Sequence, residues 1–257
     1  MASRRTFGLI VATVALVVGG FSSAGGAAAT VHAPTARGHV HVRASKLAGT
    51  ATASSIGAGY WVVPGTPNVS SASAQFTVPR ITCSKPHDAE GVFPGIYVYD
   101  GSNNLVQQID VNLFCSDGVI HMVDVVCIAG SQEGCETNLT ISPGDRIIAT
   151  FSESPYHTQG QIYDLTTNQE DSIFDGTPAP TNDYSVFIGD AGPAPFGFST
   201  HVPKFKHIAF SKGQVDGYYL FEYFATATFL KTAKVTQIKT SALTGDGDAF
   251  DTTFAHI

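Results

Sequence analysis

The sequence predicts an all-β chain folded as a single antiparallel two-sheet β-sandwich. Three observations carry this. Strand-forming aromatics are abundant, with 17 Phe and 9 Tyr among many Val and Thr. Turn formers recur along the chain, with 26 Gly and 13 Pro, as expected where many short strands are joined by turns. Several segments alternate apolar and polar residues with a period of two, and none sustains a helical period. The 257 residues suit one large all-β domain, and 43% hydrophobic against 14% charged residues leaves enough apolar surface to offset the entropy of ordering.

The first segment is a targeting signal. Arg4 and Arg5 precede an apolar run over 9–18, and Ala27, Ala28 and Ala29 offer a cleavage site. The run is too short to span a bilayer. Residues 1–29 are therefore read as a signal peptide, and the mature protein as secreted. Ser3-Arg4-Arg5-Thr6-Phe7 also fits a twin-arginine signal, so the Sec and twin-arginine routes both stay open. No later segment reads as transmembrane. Residues 30–57 are rich in Ala, Thr, Ser and Gly and read as a flexible linker or pro-segment. His39 and His41 within it are read as part of a solvated tail. The folded domain is expected over 58–257.

Strands are expected at 71–78, stopped by Pro79, then at 96–99, closed by Asp100-Gly101, then at 105–115. A hairpin turn at Ser116-Asp117-Gly118 leads into 119–128. Ser142-Pro143-Gly144-Asp145 turns into a strand at 146–151. Further strands follow at 161–165, 184–188, 205–211, 218–229, 234–239 and 249–254, with a Gly/Pro loop over 189–198. No internal repeat and no coenzyme-binding loop is present.

Net charge is −7 with pI about 5.6, and no basic stripe occurs, which argues against a nucleic-acid partner. Four cysteines suit an exported chain. Cys127 and Cys135 enclose a short loop and read as a bridge, leaving Cys83 with Cys115. All three connectivities remain open to sequence. No Cys-x2-Cys pair supports a zinc site, and no cofactor is expected. Asn68-Val-Ser and Asn138-Leu-Thr are glycosylation sequons.

The most informative segment is 105–115. On a strand, every second side chain shares a face. One face holds Leu105, Gln107, Ile109, Val111, Leu113 and Cys115. The other sets Gln108, Asp110 and Asn112 in a polar row between Val106 and Phe114. Such a row is either the solvated side of an antiparallel strand or a site.

Six segments, in order, resemble the glutamic peptidases, or eqolisins. They are Tyr60-Trp61, Ser71-Ala-Ser-Ala-Gln-Phe-Thr-Val-Pro79, Phe93-Pro-Gly-Ile-Tyr97, Leu105-Val-Gln-Gln108, Ile141-Ser-Pro-Gly-Asp145 and 240–250. The resemblance implies a concanavalin-like, bent sandwich of two antiparallel sheets with its site on the concave face. It implies metal-free hydrolysis of peptide bonds at acidic pH. In that chemistry a glutamate takes a proton from water, and a glutamine amide supports the oxyanion.

Under this resemblance Gln108 takes the glutamine role, and Trp61, Phe93, Tyr97 and Asn112 line the substrate groove. The glutamate position falls on Gly189. Asp190 follows one residue late, which turns a strand side chain to the other face unless a bulge at Gly189 restores it. Asp110 stands where the family has glycine, two residues from Gln108 on one face. Asp124 stands for a glutamate of the return strand. A two-residue Asp117-Gly118 loop would pair Asp124 with Val111, and a three-residue loop would pair it with Asp110.

The reading that follows is a secreted glutamic-peptidase-like monomer with impaired or lost hydrolysis. The alternatives are an active acid endopeptidase using Gln108 with Asp190 or Asp110, and a non-catalytic peptide- or glycan-binding sandwich. A polypeptide in the concave face is the expected partner, with neither nucleic acid nor membrane.

Overall fold

The computed structural model describes residues 51–63, 69–84, 90–128, 135–176, 184–192, 201–223, 225–232, 235–244 and 246–255. The signal segment, residues 30–50 and Asn68 lie outside them. The described part of the unit from Val42 to Ile257 is almost entirely β. Its strands are β1 (Thr52–Ser54), β2 (Gly57–Val62), β3 (Ser71–Thr77), β4 (Glu90–Tyr99), β5 (Leu105–Ser116) and β6 (Val119–Ile128). They continue as β7 (Cys135–Glu136), β8 (Arg146–Ser154), β9 (His157–Asp164), β10 (Gln169–Asp175) and β11 (Ser185–Ala191). The last are β12 (His207–Val215), β13 (Tyr218–Tyr219), β14 (Thr226–Thr232), β15 (Val235–Thr240) and β16 (Phe250–Phe254).

The path of hydrogen-bonded neighbours runs β10-β9-β8-β3-β12-β16-β15-β14-β2-β11-β4-β5-β6-β7. Every pairing along it is antiparallel, and β1 joins β14 in parallel. The sheet curls until its two ends approach, because β10 packs against β6 and β7. The expected all-β, antiparallel class is therefore the observed one. The main core is the enclosed face, filled by residues such as Ile96, Ile109, Val111, Ile147, Ile188 and Phe210. A smaller cluster of Phe93, Tyr97, Tyr99, Phe187 and Ala191 packs on the opposite face, against Trp61, Leu105 and Phe114.

Several elements differ from expectation, each for a local reason. Strand pairing begins at Thr52, inside the stretch read as linker, because β14 offers residues 52–54 a partner. A 3-10 turn, Leu220–Tyr223, splits the strand expected at 218–229, with Leu220 buried. The glycine loop expected from residue 189 begins later, since Gly189, Asp190 and Ala191 still pair with β2 and β4. β10 escaped sequence reading because five of its seven residues are polar, yet Asp171 and Ile173 alternate inward.

The β5–β6 hairpin closes with a two-residue loop, in which Asp117 (φ 50°) and Gly118 (φ 76°) are both left-handed as a type I′ turn requires. Ser116 pairs with Val119, and this register puts Asp124 opposite Val111. Both expected bridges form, Cys83–Cys115 and Cys127–Cys135, and the second fastens β7 to β6.

Candidate functional site

Four strands carry the face opposite the main core. One cross-strand row reads Gly59, Gly189, Gly95, Asp110 across β2, β11, β4 and β5. The next row reads Trp61, Phe187, Tyr97, Gln108 across the same strands. Three consecutive glycines leave a floor of bare backbone, and aromatic rings cover it. The Tyr97 hydroxyl donates to the Phe93 carbonyl at 2.6 Å, so its ring lies back along β4 over Gly95. Phe187 covers Gly189, where an added Cβ would sit 3.0 Å from the Phe187 Cζ. Trp61 packs 5.3 Å from Phe187 and 5.0 Å from Tyr99.

Asp110 lies at the end of the glycine row and is wholly buried. Gln108 Nε2 lies 3.0 Å from its Oδ2 and 3.2 Å from its Oδ1. Asn112 Nδ2 donates to Oδ1 at 3.3 Å, and the Tyr97 hydroxyl meets Oδ2. The polar row of β5 is thus one hydrogen-bonded unit. Burial raises Asp110 to about 7, against the lowering effect of Tyr97 and Gln108, and Asp124 raises it further. Burial also holds the Tyr97 phenol well above its usual range.

The Tyr97 hydroxyl has one proton and two facing acceptors, the Phe93 carbonyl and the Asp110 carboxyl. That one proton is shared between the two, Tyr97 donating to both the Phe93 carbonyl and Asp110 Oδ2. Tyr97→Phe is expected to remove a buried hydrogen bond to Asp110 and to lower stability by about 1–3 kcal/mol. Thermal denaturation reads this, and an unchanged midpoint would remove Tyr97 from the unit.

Two of the sequence candidates lie elsewhere. Asp190 points into the main core, on the side of Ile188, and takes a hydrogen bond from the Thr252 hydroxyl. The pairing of β11 with both neighbours runs through Gly189 without a register shift. No bulge therefore restores Asp190 to the face of Gln108. Its Oδ1 has no hydrogen-bond partner among the described residues, and burial raises its carboxyl to about 8. Asp124 also faces the core side, a consequence of the two-residue turn, and accepts from the Leu139 amide at 3.0 Å. A shared site of Asp110 and Asp124 is thereby excluded.

Sequence reading missed Tyr99 and Phe187 as members of this face, as well as the covering role of Tyr97. A signal for the floor was present. Isolated glycines at 59, 95 and 189 inside strand patterns mark places where something approaches the backbone closely. Only the register shows that the three are neighbours.

No family model matches the chain, and no curated protein does. Among solved structures it is similar to scytalido-glutamic peptidase bound to a peptide-based transition-state analog. The TM-score is 0.58 at 15% identity, covering 77% of this chain and 97% of that one. A second structure, of scytalido-glutamic peptidase with a transition-state analog inhibitor, gives 0.59 at 16% identity over 78% and 98%. The chain has the glutamic peptidase fold. On this glutamic peptidase fold, Gln108 is the half-buried polar end of the Asp110 unit, next to the Trp61–Phe187–Tyr99 aromatic group.

Proposed function

We propose that this is an exported protein of glutamic peptidase fold whose acid hydrolysis of peptide bonds is impaired or lost. It keeps the aromatic face as a binding surface for an extended polypeptide, and it works as a monomer. One observation carries the reading: the only carboxyl beside Gln108 among the described residues is Asp110, buried beneath Tyr97 and already hydrogen-bonded to the Gln108 amide. A general base must be ionised and must reach the attacking water. Asp110, raised to about 7, is neutral in acid and has no solvent contact. Gly189, at the position matched to the family's glutamate, supplies no carboxylate. Two formed disulfides support an oxidising compartment, in keeping with the Arg4-Arg5 signal segment.

A second reading rests on the 3.0 Å approach of Gln108 to Asp110. There Asp110 serves as base once ionised, so hydrolysis would rise with pH through about 7 instead of peaking in acid. A denatured protein substrate incubated across acidic to alkaline pH, with Gln108→Ala and Asp110→Asn as controls, separates the two. No cleavage at any pH is the expected result. Cleavage only above neutrality, lost in Asp110→Asn, would establish the second reading. Cleavage in acid, abolished by Gln108→Ala, would overturn both.

A further inference from the structure

Away from Gln108, the outer face of another set of strands carries an uncharged array. The pairing of β13, β12, β3, β8, β9 and β10 lines up Tyr219, Gln214, Ser73, Thr150, Gln161 and Ser172 in one cross-strand row. A second row on β3, β8, β9 and β10 holds Ser71, Ser152, Gln159 and Phe174. None of these residues is charged, whereas a solvated surface ordinarily mixes both signs over about a quarter to a third of its residues. The Thr150 hydroxyl donates to Gln161 Oε1 at 3.3 Å, which leaves the Gln161 Nε2 as a donor. On the other side of the first row, Gln75, Ile148 and Tyr163 are cross-strand neighbours. Ile148 and Tyr163 set an apolar strip alongside the polar one.

A β-bulge builds one end of this array. The register of β12 on β3 shifts between Ser211 and Gln214, and Lys212 takes a left-handed φ of 52°. A one-residue step along a strand changes the face of a side chain. Phe210 and Val215 both reach the main core although they are an odd number of residues apart. The extra residue of the bulge is therefore what turns Gln214 outward beside Ser73. The Gly213 amide donates to the Asp248 carbonyl at 2.9 Å, which brings the segment before β16 alongside the bulge. Ser73, Gln75, Ile148, Gln214 and Tyr219 line a cavity of about 460 Å³, with Lys212 and Asp248 as its one cation and one anion. This volume is that of a small-molecule site. Gln75 Oε1 has no hydrogen-bond partner among the described residues, so a donor entering the cavity would satisfy it.

We propose that this face binds an uncharged polysaccharide, with one end of the bound segment seated in the cavity and the rest laid along the row toward β10. The row spans roughly 24 Å at a strand spacing of about 4.8 Å, which leaves room for several sugar rings. Sugar hydroxyls both donate and accept, as do the side-chain amides and hydroxyls of the row. The C–H face of a sugar ring can rest on Ile148 and on the apolar body of the Tyr163 ring. Other occupants fit less well. A nucleic acid calls for a basic face, and Lys212 is a single cation beside Asp248. A peptide added as a strand needs a free sheet edge, whereas β3, β8, β9 and β12 each have neighbours on both sides. A protein interface centres on an apolar and aromatic patch, not on a row of hydroxyls and amides. The site shares no strand with Gln108 and does not rest on the peptidase reading.

Native affinity electrophoresis tests this, through gels containing xylan, galactomannan, a mixed-linkage β-glucan, anionic polygalacturonate or gelatin. Calorimetry then compares the disaccharide and hexasaccharide of the polymer that retards the protein. At least one neutral polysaccharide is expected to retard it, and polygalacturonate and gelatin to leave it unretarded. The hexasaccharide should bind about tenfold or more tighter than the disaccharide. Thr150→Arg, in the middle of the row and outside the cavity, should bring the hexasaccharide down to the affinity of the disaccharide. Gln75→Ala combined with Gln214→Ala should abolish retardation at an unchanged melting midpoint. Ser73→Arg, which fills the cavity from its floor, should do the same and serves where the double variant is unstable. Retardation by none of the neutral polymers overturns the proposal, as does equal retardation by polygalacturonate. Equal affinity for the two oligosaccharides, or full binding in the cavity variants, overturns it as well. Retardation by gelatin that the cavity variants lose would assign the face to a polypeptide instead.

Discussion

Glutamate placed at Gly189 is expected to destabilise the protein and to bring no peptide-bond hydrolysis. This is the variant that puts a carboxylate back at the position where the family resemblance expects one, and the site has no room for it. A Cβ there would stand 2.4 Å from the Ala58 carbonyl and 2.6 Å from the Gly59 Cα, both backbone atoms of β2 that cannot swing aside. The φ of Gly189 is +157°, a conformation side chains rarely adopt. The Phe187 ring occupies the space above. Backbone strain costs about 1–3 kcal/mol and overpacking about 1–3 kcal/mol more. Together they lower the melting midpoint by roughly 5–20 °C for a domain of this size. Calorimetry and an acid peptidase assay on Gly189→Glu measure both halves. A variant as stable as its parent that cuts peptide bonds in acid would show the floor to be a vacant active site.

The second large effect is a loss of global stability as the pH rises from acid to neutral. Asp110 and Asp190 are wholly buried, and burial raises them to about 7 and about 8. In the unfolded chain both fall back to roughly 4. Between the two values the folded state holds protons that the unfolded state has released. Each such proton lowers the unfolding free energy by about 1.4 kcal/mol per pH unit. The stabilisation is therefore complete below roughly pH 4 and is lost as the pH climbs through about 7 to 8. Glu153, raised by burial to about 7, acts in the same direction.

The formal net charge of −7 at neutral pH adds self-repulsion of the same sign. The midpoint is expected to be highest near pH 4 and at least about 10 °C lower at pH 8. Asp190→Asn, a neutral isostere that keeps the carbonyl facing Thr252, should flatten part of the slope. A midpoint that is level or rising from pH 4 to 8 would mean these carboxyls are solvated or paired in solution.

Much of this was legible along the chain because strand alternation is local. In 105–115 the period of two places Ile109 and Val111 in the main core and Gln108, Asp110 and Asn112 together on the other face, as the folded strand does. The same rule marked Asp190 as turned away from the position of Gly189. The short loop between Cys127 and Cys135 indicated their bridge. The polar composition of β10 hid it, because a strand at the end of a curled sheet needs few apolar residues.

The sequence by itself determined the all-β class, the faces of β5 and the row of polar groups around Asp110. The tertiary structure alone decided what those groups meet. Gly59, Gly189 and Gly95 become one floor only when β2, β11 and β4 align, and Tyr97 covers Asp110 only because β4 lies beside β5. β10 meets β6 and β7 only because the sheet curls end to end. The physical reason is the same in each case. A strand's own period sets which way a side chain points, but its charge state and its neighbours come from strands distant in sequence, through register and burial.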